Sequence, residues 1–280
     1  MKIFVTLAII LSVLFMSCQK EISYEDPNGT GGTVTPTVGT QLIKIGQKSG
    51  SDTSTIQYSY NSSNRISGYV ITGTSSGQQL NSTIDYVRNS SNVITQQVYK
   101  DPSLSQYGLT QVVTNYTYDA SASQYKYALT QITIMGNTYK DSIAYNYDAS
   151  NKLISTIDYE NAGSGYAPFS KEEYSYSGSN LGSVKYYSYD DSTSNYLLDE
   201  THTFEYDSKV NPLKFVSDAP VLGMTTYYSA NNVSKQTIVV TSPSSTQTVS
   251  TTYTYNTNNM PITGVLTAGT GSAVSTYYYQ

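Results

Sequence analysis

From about Tyr58 almost to Gln280 the chain repeats one pattern of polar and apolar positions. An aromatic pair spaced by one residue is followed by four polar residues, and then by an alternating apolar run. The copy from Tyr145 to Tyr159, YNYDASNKLISTIDY, shows it most plainly. Alternation of period two marks a strand with two unlike faces. It places Leu153, Ser155, Ile157 and Tyr159 on one face and Ile154, Thr156 and Asp158 on the other. Aligned on their turns, the units begin at Tyr58, Tyr86, Tyr116, Tyr145, Tyr174, Phe204, Thr226 and Tyr253, a period of about 29 residues. That length holds two strands and two connections, so the pattern predicts about eight antiparallel hairpins stacked into one domain. The unit at Thr226 is short and lacks its first aromatic, which marks it as a distorted spot.

The turns carry the strongest local signal. The polar tetrads NSSN, NSSN, DASN, SGSN, SANN and NTNN end in Asn64, Asn92, Asn151, Asn180, Asn232 and Asn259. A hairpin built from a type I turn plus a bulge needs a left-handed residue at that place. Asparagine is among the few residues besides glycine that tolerate it. The first residue of each tetrad, Asn, Asp or Ser, can bond the backbone two residues on. Two units depart: the third extends its turn to DASASQYKY, and the sixth reads DSKVNP. The opposite connections, such as GTSSGQQLN, ENAGSGYAPF and DDSTSNYLL, are more variable and should lie together along one edge. Tyr145 and Tyr147 share a face, so tyrosine ladders are expected where hairpins stack. The expected fold is therefore all-β, with antiparallel hairpin repeats forming one long twisted sheet. Sixteen strands would not stay flat, so it should curl into a spiral or an open barrel.

Composition changes this picture in one respect. Tyrosine supplies 30 residues against 5 Phe and no Trp. A ring that is apolar along its body and wet at its hydroxyl suits a half-exposed sheet face better than a thick core. The net charge of −5, with basic residues scattered, argues against nucleic acid as a partner. A single Cys excludes a disulfide framework and any multi-cysteine zinc site.

That cysteine has a position with its own meaning. Met1 to Cys18 reads MKIFVTLAIILSVLFMSC, with Lys2 ahead of an apolar run from Ile3 to Phe15. The run is too short for a permanent transmembrane helix and fits a signal peptide over 1–17. Phe15-Met16-Ser17-Cys18 resembles the lipobox of bacterial lipoproteins, with Phe at the usual Leu position. The resemblance implies that Cys18 is acylated and becomes the mature N-terminus, a membrane anchor. Residues 18–40, rich in Gly, Thr and Pro, read as a flexible tether, and 41–280 as the repeat domain. Gln19-Lys20-Glu21 is weakly similar to the export signal of surface lipoproteins in Bacteroidota-type bacteria. Localisation is accordingly the cell envelope, as an outer-membrane lipoprotein facing either the periplasm or the surface.

Tyr-x-Tyr-Asp-x-x-Asn-x-Leu resembles the YD repeat of the RHS family, with Asn where that family typically has Gly. It also resembles the YD-like lipoproteins that Bacteroidota encode in number. What this implies is a long curling or spiralling antiparallel sheet rather than an activity. Candidate chemistry is sparse. His202 is the single histidine, so a zinc site is not expected, and no metal or cofactor is. Asp190-Asp191 and Asp199-Glu200 flank a variable loop and are the residues that calcium binding or glycoside hydrolysis would use. No catalytic residue is assigned. The expected function is a non-enzymatic scaffold or adhesion surface for glycan or protein. The alternatives are a carbohydrate-active enzyme using acidic loop residues, and a structural spacer of a surface assembly. The binding reading predicts exposed tyrosines beside the long connections; the enzyme reading predicts two carboxylates facing each other about 5 to 10 Å apart.

Overall fold

The computed structural model describes residues 39–161, 165–214, 218–223 and 225–280. The signal segment, Cys18 and the tether up to residue 38 lie outside them. Sixteen strands run through the described chain. The first eight are β1 (Leu42–Ser49), β2 (Asp52–Tyr60), β3 (Ile66–Ser75), β4 (Gln78–Arg88), β5 (Ile94–Lys100), β6 (Val112–Asp119), β7 (Gln124–Ile134) and β8 (Asn137–Tyr147). They are followed by β9 (Leu153–Asn161), β10 (Ala167–Ser177), β11 (Asn180–Asp190), β12 (Asn195–Val210), β13 (Asn231–Val240), β14 (Ser245–Tyr255), β15 (Pro261–Ala268) and β16 (Gly271–Tyr279). Each pairs antiparallel with its neighbour in sequence, and β1 pairs with β16. The sheet is thus a closed barrel, which corrects the expected spiral or open barrel. Closure gives both edge strands a partner, whereas an open end would leave a row of unpaired N–H and C=O groups.

The hairpin turns at the tyrosine end share one device. Asn61 N–H donates to Arg65 O (2.9 Å) and Asn64 N–H to Asn61 O (2.9 Å), while Asn61 Oδ1 accepts from the Ser63 and Arg65 amides. The same bonds form around Asn89, Asp148 and Asn256. The left-handed residues there are Asn64 (φ 57°), Asn92 (63°), Asn151 (64°) and Asn259 (59°). Asn180 and Asn232 do not share this conformation, and both lie in strands. In SGSN the left-handed residue is Gly178 (φ 61°), the first centre of a two-residue turn, which is the type II′ preference.

A bulge follows each of these turns. In β8–β9, Asn146 pairs with Ser155 but Tyr147 pairs with Leu153, so Ile154 is the extra residue. Leu153 is thereby turned away from the face of Ser155, Ile157 and Tyr159, correcting the strict alternation expected there. Bulges recur at Tyr60, Arg88, Tyr118, Tyr176 and Tyr255. Each bends and twists its strand, the local curvature that a barrel needs. Five also set the last inward aromatic opposite a buried partner: Ile66, Tyr125, Leu153, Leu181 and Pro261 face Tyr60, Tyr118, Tyr147, Tyr176 and Tyr255, while Ile94 faces Arg88.

The number of hairpins, eight, is the one expected, but the assignment of the units is corrected. The units expected at Phe204 and Thr226 are the two arms of one hairpin, β12 and β13, separated by the insertion 211–230. The eighth aromatic pair is Tyr277 and Tyr279, which closes the barrel against β1.

The faces are sharply unequal. Along β14, Thr246, Thr248, Ser250, Thr252 and Thr254 alternate with Gln247, Val249, Thr251, Tyr253 and Tyr255. Val249 is buried and pairs with buried Ala268, so its row is the inner one. In β2 Ile56 and Tyr58 are buried while Thr53, Gln57 and Ser59 are exposed. The outer wall is mostly Thr, Ser, Gln and Asn, and the inner wall at the turn end is Tyr, Ile and Leu. This reverses the arrangement of barrels that sit in lipid, whose outward band is apolar. The tyrosines expected on a half-exposed face thus form the core, with Tyr58–Tyr69 (5.9 Å), Tyr69–Tyr86 (6.4 Å) and Tyr125–Tyr145 (6.4 Å) as ring ladders.

Candidate functional site

The insertion fills the tyrosine end of the barrel. It carries helix α1 (Ala219–Leu222) and a 3-10 turn, Thr225–Tyr228. Ala219, Val221, Leu222 and Tyr227 are buried in the same cluster as Leu42, Tyr58, Tyr86, Tyr125 and Tyr145 from the wall. Tyr227 also bonds Tyr58. The neck is polar and hydrogen-bonded, apart from the buried Thr226 hydroxyl. Asn211 Nδ2 donates to Thr226 O (2.8 Å) and Ser229 O (2.9 Å), and Ser229 Oγ accepts from Leu181 N–H (3.1 Å) while donating to Tyr206 Oη (2.8 Å). Asn180 Oδ1 accepts from the Ala230 and Asn231 amides, and Asn232 Nδ2 donates to Asp207 (3.1 Å). The two asparagines that depart from the turn pattern are therefore those that hold the exit of the plug.

One ion pair fixes the plug to the wall. Arg88 Nη2 and Nη1 reach Asp218 at 2.8 and 3.3 Å, and Arg88 also donates to Ile66 O and Asn92 O. Both side chains are almost wholly buried, 6% and 7% exposed, so the pair is desolvated and every lone pair matters. Sequence reasoning missed it, yet the signal was present. Unit two reads Tyr86-Val87-Arg88, a cation where the other intact pairs have Tyr.

Toward the opposite end the inner wall turns acidic. Asp141, Asp158, Glu160, Glu172 and Glu200 stand on β8, β9, β10 and β12, in register with inward neighbours. Burial, then Asp141, pushes Asp158 up to about 9. Oδ1 of Asp141 and Oδ1 of Asp158 are both buried without a hydrogen-bond partner. Burial also raises Glu172, which accepts from Tyr174 Oη. His202 lies on this wall, with Nε2 on Glu200 (2.8 Å), Nδ1 on Gln236 (3.1 Å) and its ring 4.6 Å from that of Tyr186. Those bonds leave it held by the fold. Among the described residues no group of three or more His, Cys, Asp or Glu is placed to hold a metal.

The loop carboxylates singled out in the sequence are dispersed. Asp190 caps its own turn through Ser192 and Thr193, which hold it below the usual carboxylate range. Asp199 accepts from Ser188 Oγ (3.1 Å) on the exposed rim, and Glu200 faces inward to His202. The carboxylates that do meet are Asp141 and Asp158, which face inward on the paired strands β8 and β9, away from the loop.

The connections at this end are shorter than expected, many of them two-residue turns such as Ser76-Gly77. On the outer wall beside two of them lies an aromatic band that breaks the Thr/Ser rule. Tyr159 on β9, Tyr187 and Tyr189 on β11, and Tyr196 and Leu198 on β12 face outward together. Tyr166 and Phe169 stand next to them, 48% and 36% exposed. Lys171 Nζ sits 4.4 Å from the Tyr187 ring and 5.0 Å from the Tyr196 ring, and pairs with Glu173 at 2.8 Å. Tyr187 Oη donates to Glu173 (2.7 Å), so the rings are pre-oriented. Tyr189 and Tyr196 pack edge to face at 5.1 Å.

No protein-family model matches the sequence and no curated protein does, so the likeness to the YD repeat rests on the turn residues quoted above. Solved structures do match in fold. A porin-like protein from Bacteroides uniformis superposes with a TM-score of 0.55 at 17% identity, over 86% of this chain and 99% of the other. A porin-like protein from Bacteroides vulgatus does so with a TM-score of 0.53 at 10% identity, over 86% and 99%.

Proposed function

We propose that the chain is a non-enzymatic envelope lipoprotein, held in the outer membrane by acylated Cys18, whose water-exposed barrel binds glycan with its aromatic rim. The observation that carries this reading is the band of Tyr159, Tyr166, Phe169, Tyr187, Tyr189, Tyr196 and Leu198. Elsewhere most tyrosine is turned into the core and outward tyrosines such as Tyr127 and Tyr278 stand apart from one another, so the cluster beside the 162–166 and 191–194 connections needs a reason other than packing. Aromatic faces stack on sugar rings, and Glu173 and Lys171 beside them offer hydrogen bonds to hydroxyls. The polar outer wall supports a tethered barrel surrounded by water, not a barrel embedded in lipid. The plug supports a binding module over an open conduit.

The test is a glycan array probed with the Cys18→Ser chain, which keeps the barrel and loses the anchor. We expect selective binding that Tyr196→Ala weakens at least about tenfold, the loss of one stacked ring and its neighbour contact. A flat array would leave the barrel as a structural spacer.

A further inference from the structure

We infer that the barrel stands with its plugged end toward the membrane and its acidic mouth and aromatic rim away from it, a placement that rests on the Cys18 anchor of the preceding reading. The chain enters the barrel at the tyrosine end. Gln41 exchanges backbone hydrogen bonds with Gln280 (3.3 and 3.0 Å), Leu42 pairs with Tyr279, and Tyr60 Oη donates to Leu42 O. The plug occupies that same end, since Asp218 meets Arg88 beside the Asn61 and Asn89 turns, which are themselves joined by Asn61 Nδ2 to Asn92 Oδ1 (2.9 Å). The rim lies at the far ends of the same strands. Strands of 11 residues such as β7 and β10, tilted as barrel strands are, put about 28 Å between the two ends.

The tether attaches at one end of that height only. If the Gly- and Thr-rich residues 19–40 are the flexible tether that their composition leads one to expect, their root-mean-square reach would be about 25 Å. A mouth-down barrel would need it to run the full length of the wall before reaching the bilayer, close to its whole ordinary reach. A plug-down barrel needs none of it. A ligand therefore meets the rim from the aqueous side opposite the anchoring membrane, so the partner is water-borne or belongs to a facing surface, not a lipid of the same leaflet.

The full-length acylated protein in vesicles carrying a headgroup nitroxide lipid tests this. Acylation consumes the one native thiol, so an introduced cysteine is the single labelling site. Ser62→Cys and Thr257→Cys mark the plugged end, and Asp191→Cys and Ser244→Cys the mouth; all four residues are exposed. Fluorophores at Ser62 and Thr257 should be quenched at least about twofold more than those at Asp191 and Ser244. Equal or reversed quenching on vesicles that carry the protein overturns the placement alone. Protein that fails to float with the vesicles overturns the anchor, and the placement with it.

Discussion

At the scale of single residues, the asparagines of the turns divide into two kinds. Asn64, Asn92, Asn151 and Asn259 are left-handed and lie at the end of a turn whose first residue has already spent its side chain on two amides. Asn180 and Asn232 are extended and spend their side chains on the neck of the plug. Asn151→Gly should therefore leave stability unchanged or raise it slightly, and Asn151→Val should cost about 1–2 kcal/mol. Asn180→Gly should instead destabilise by about 1–3 kcal/mol, because the Asn231 amide loses its side-chain acceptor and the Ala230 amide keeps only Ser179 O. Urea midpoints separate the cases; equal responses at positions 151 and 180 would contradict the division. The sequence made the turn chemistry legible because it is local: Asp148 to Lys152 contains every atom that decides it. It could not separate Asn180 from Asn151, because what differs is a segment about 50 residues away.

At the scale of elements, the plug was the hardest part to foresee. Its sequence shows only a missing aromatic at Thr226 and a short spacing, and a hairpin with a long insertion reads the same as a damaged repeat. The burial of Ala219, Val221, Leu222 and Tyr227 depends on a lumen that exists only after closure. Arg88 was legible as an exception in an aromatic column, but its partner was not. Arg88→Met should cost about 3–5 kcal/mol, since it leaves Asp218 buried without its counter-ion. Arg65, 3.8 Å from Asp218 and half-exposed, is poorly placed to substitute. Adding Asp218→Leu should recover most of the loss. A double variant no more stable than Arg88→Met would show that shape rather than charge holds the plug.

At the scale of the whole molecule, hairpin number and strand type followed from the period, whereas closure and the direction of the faces did not. Both faces alternate with period two, and tyrosine is amphipathic enough to suit either, so the pattern could not say which row faces inward. The outcome has a pH signature. Burial raises the phenols of the inner wall, Tyr60 and Tyr147 to about 12 and Tyr58, Tyr69 and Tyr145 further. Above pH about 10 an unfolded chain releases protons that the native wall retains, so stability falls as pH rises through that range. Tyrosinate absorbance and loss of β-sheet circular dichroism should therefore rise together above pH 10. Tyrosine ionisation complete within an intact fold would rule out a phenol-lined core.

The pairing of β1 with β16 bears on how the protein is made. Fifteen ladders join strands adjacent in sequence and can zip as soon as both strands of each hairpin are free. The sixteenth joins Ile45 to Tyr277, across nearly the whole domain, and waits for the last strand to emerge. Until then the nascent sheet has two bare edges, and β1, the first strand made, is the last to find its partner. Folding thus has one vulnerable interval, set by the time between emergence of the first strand and of the last, during which the sheet carries an edge that the finished barrel does not possess.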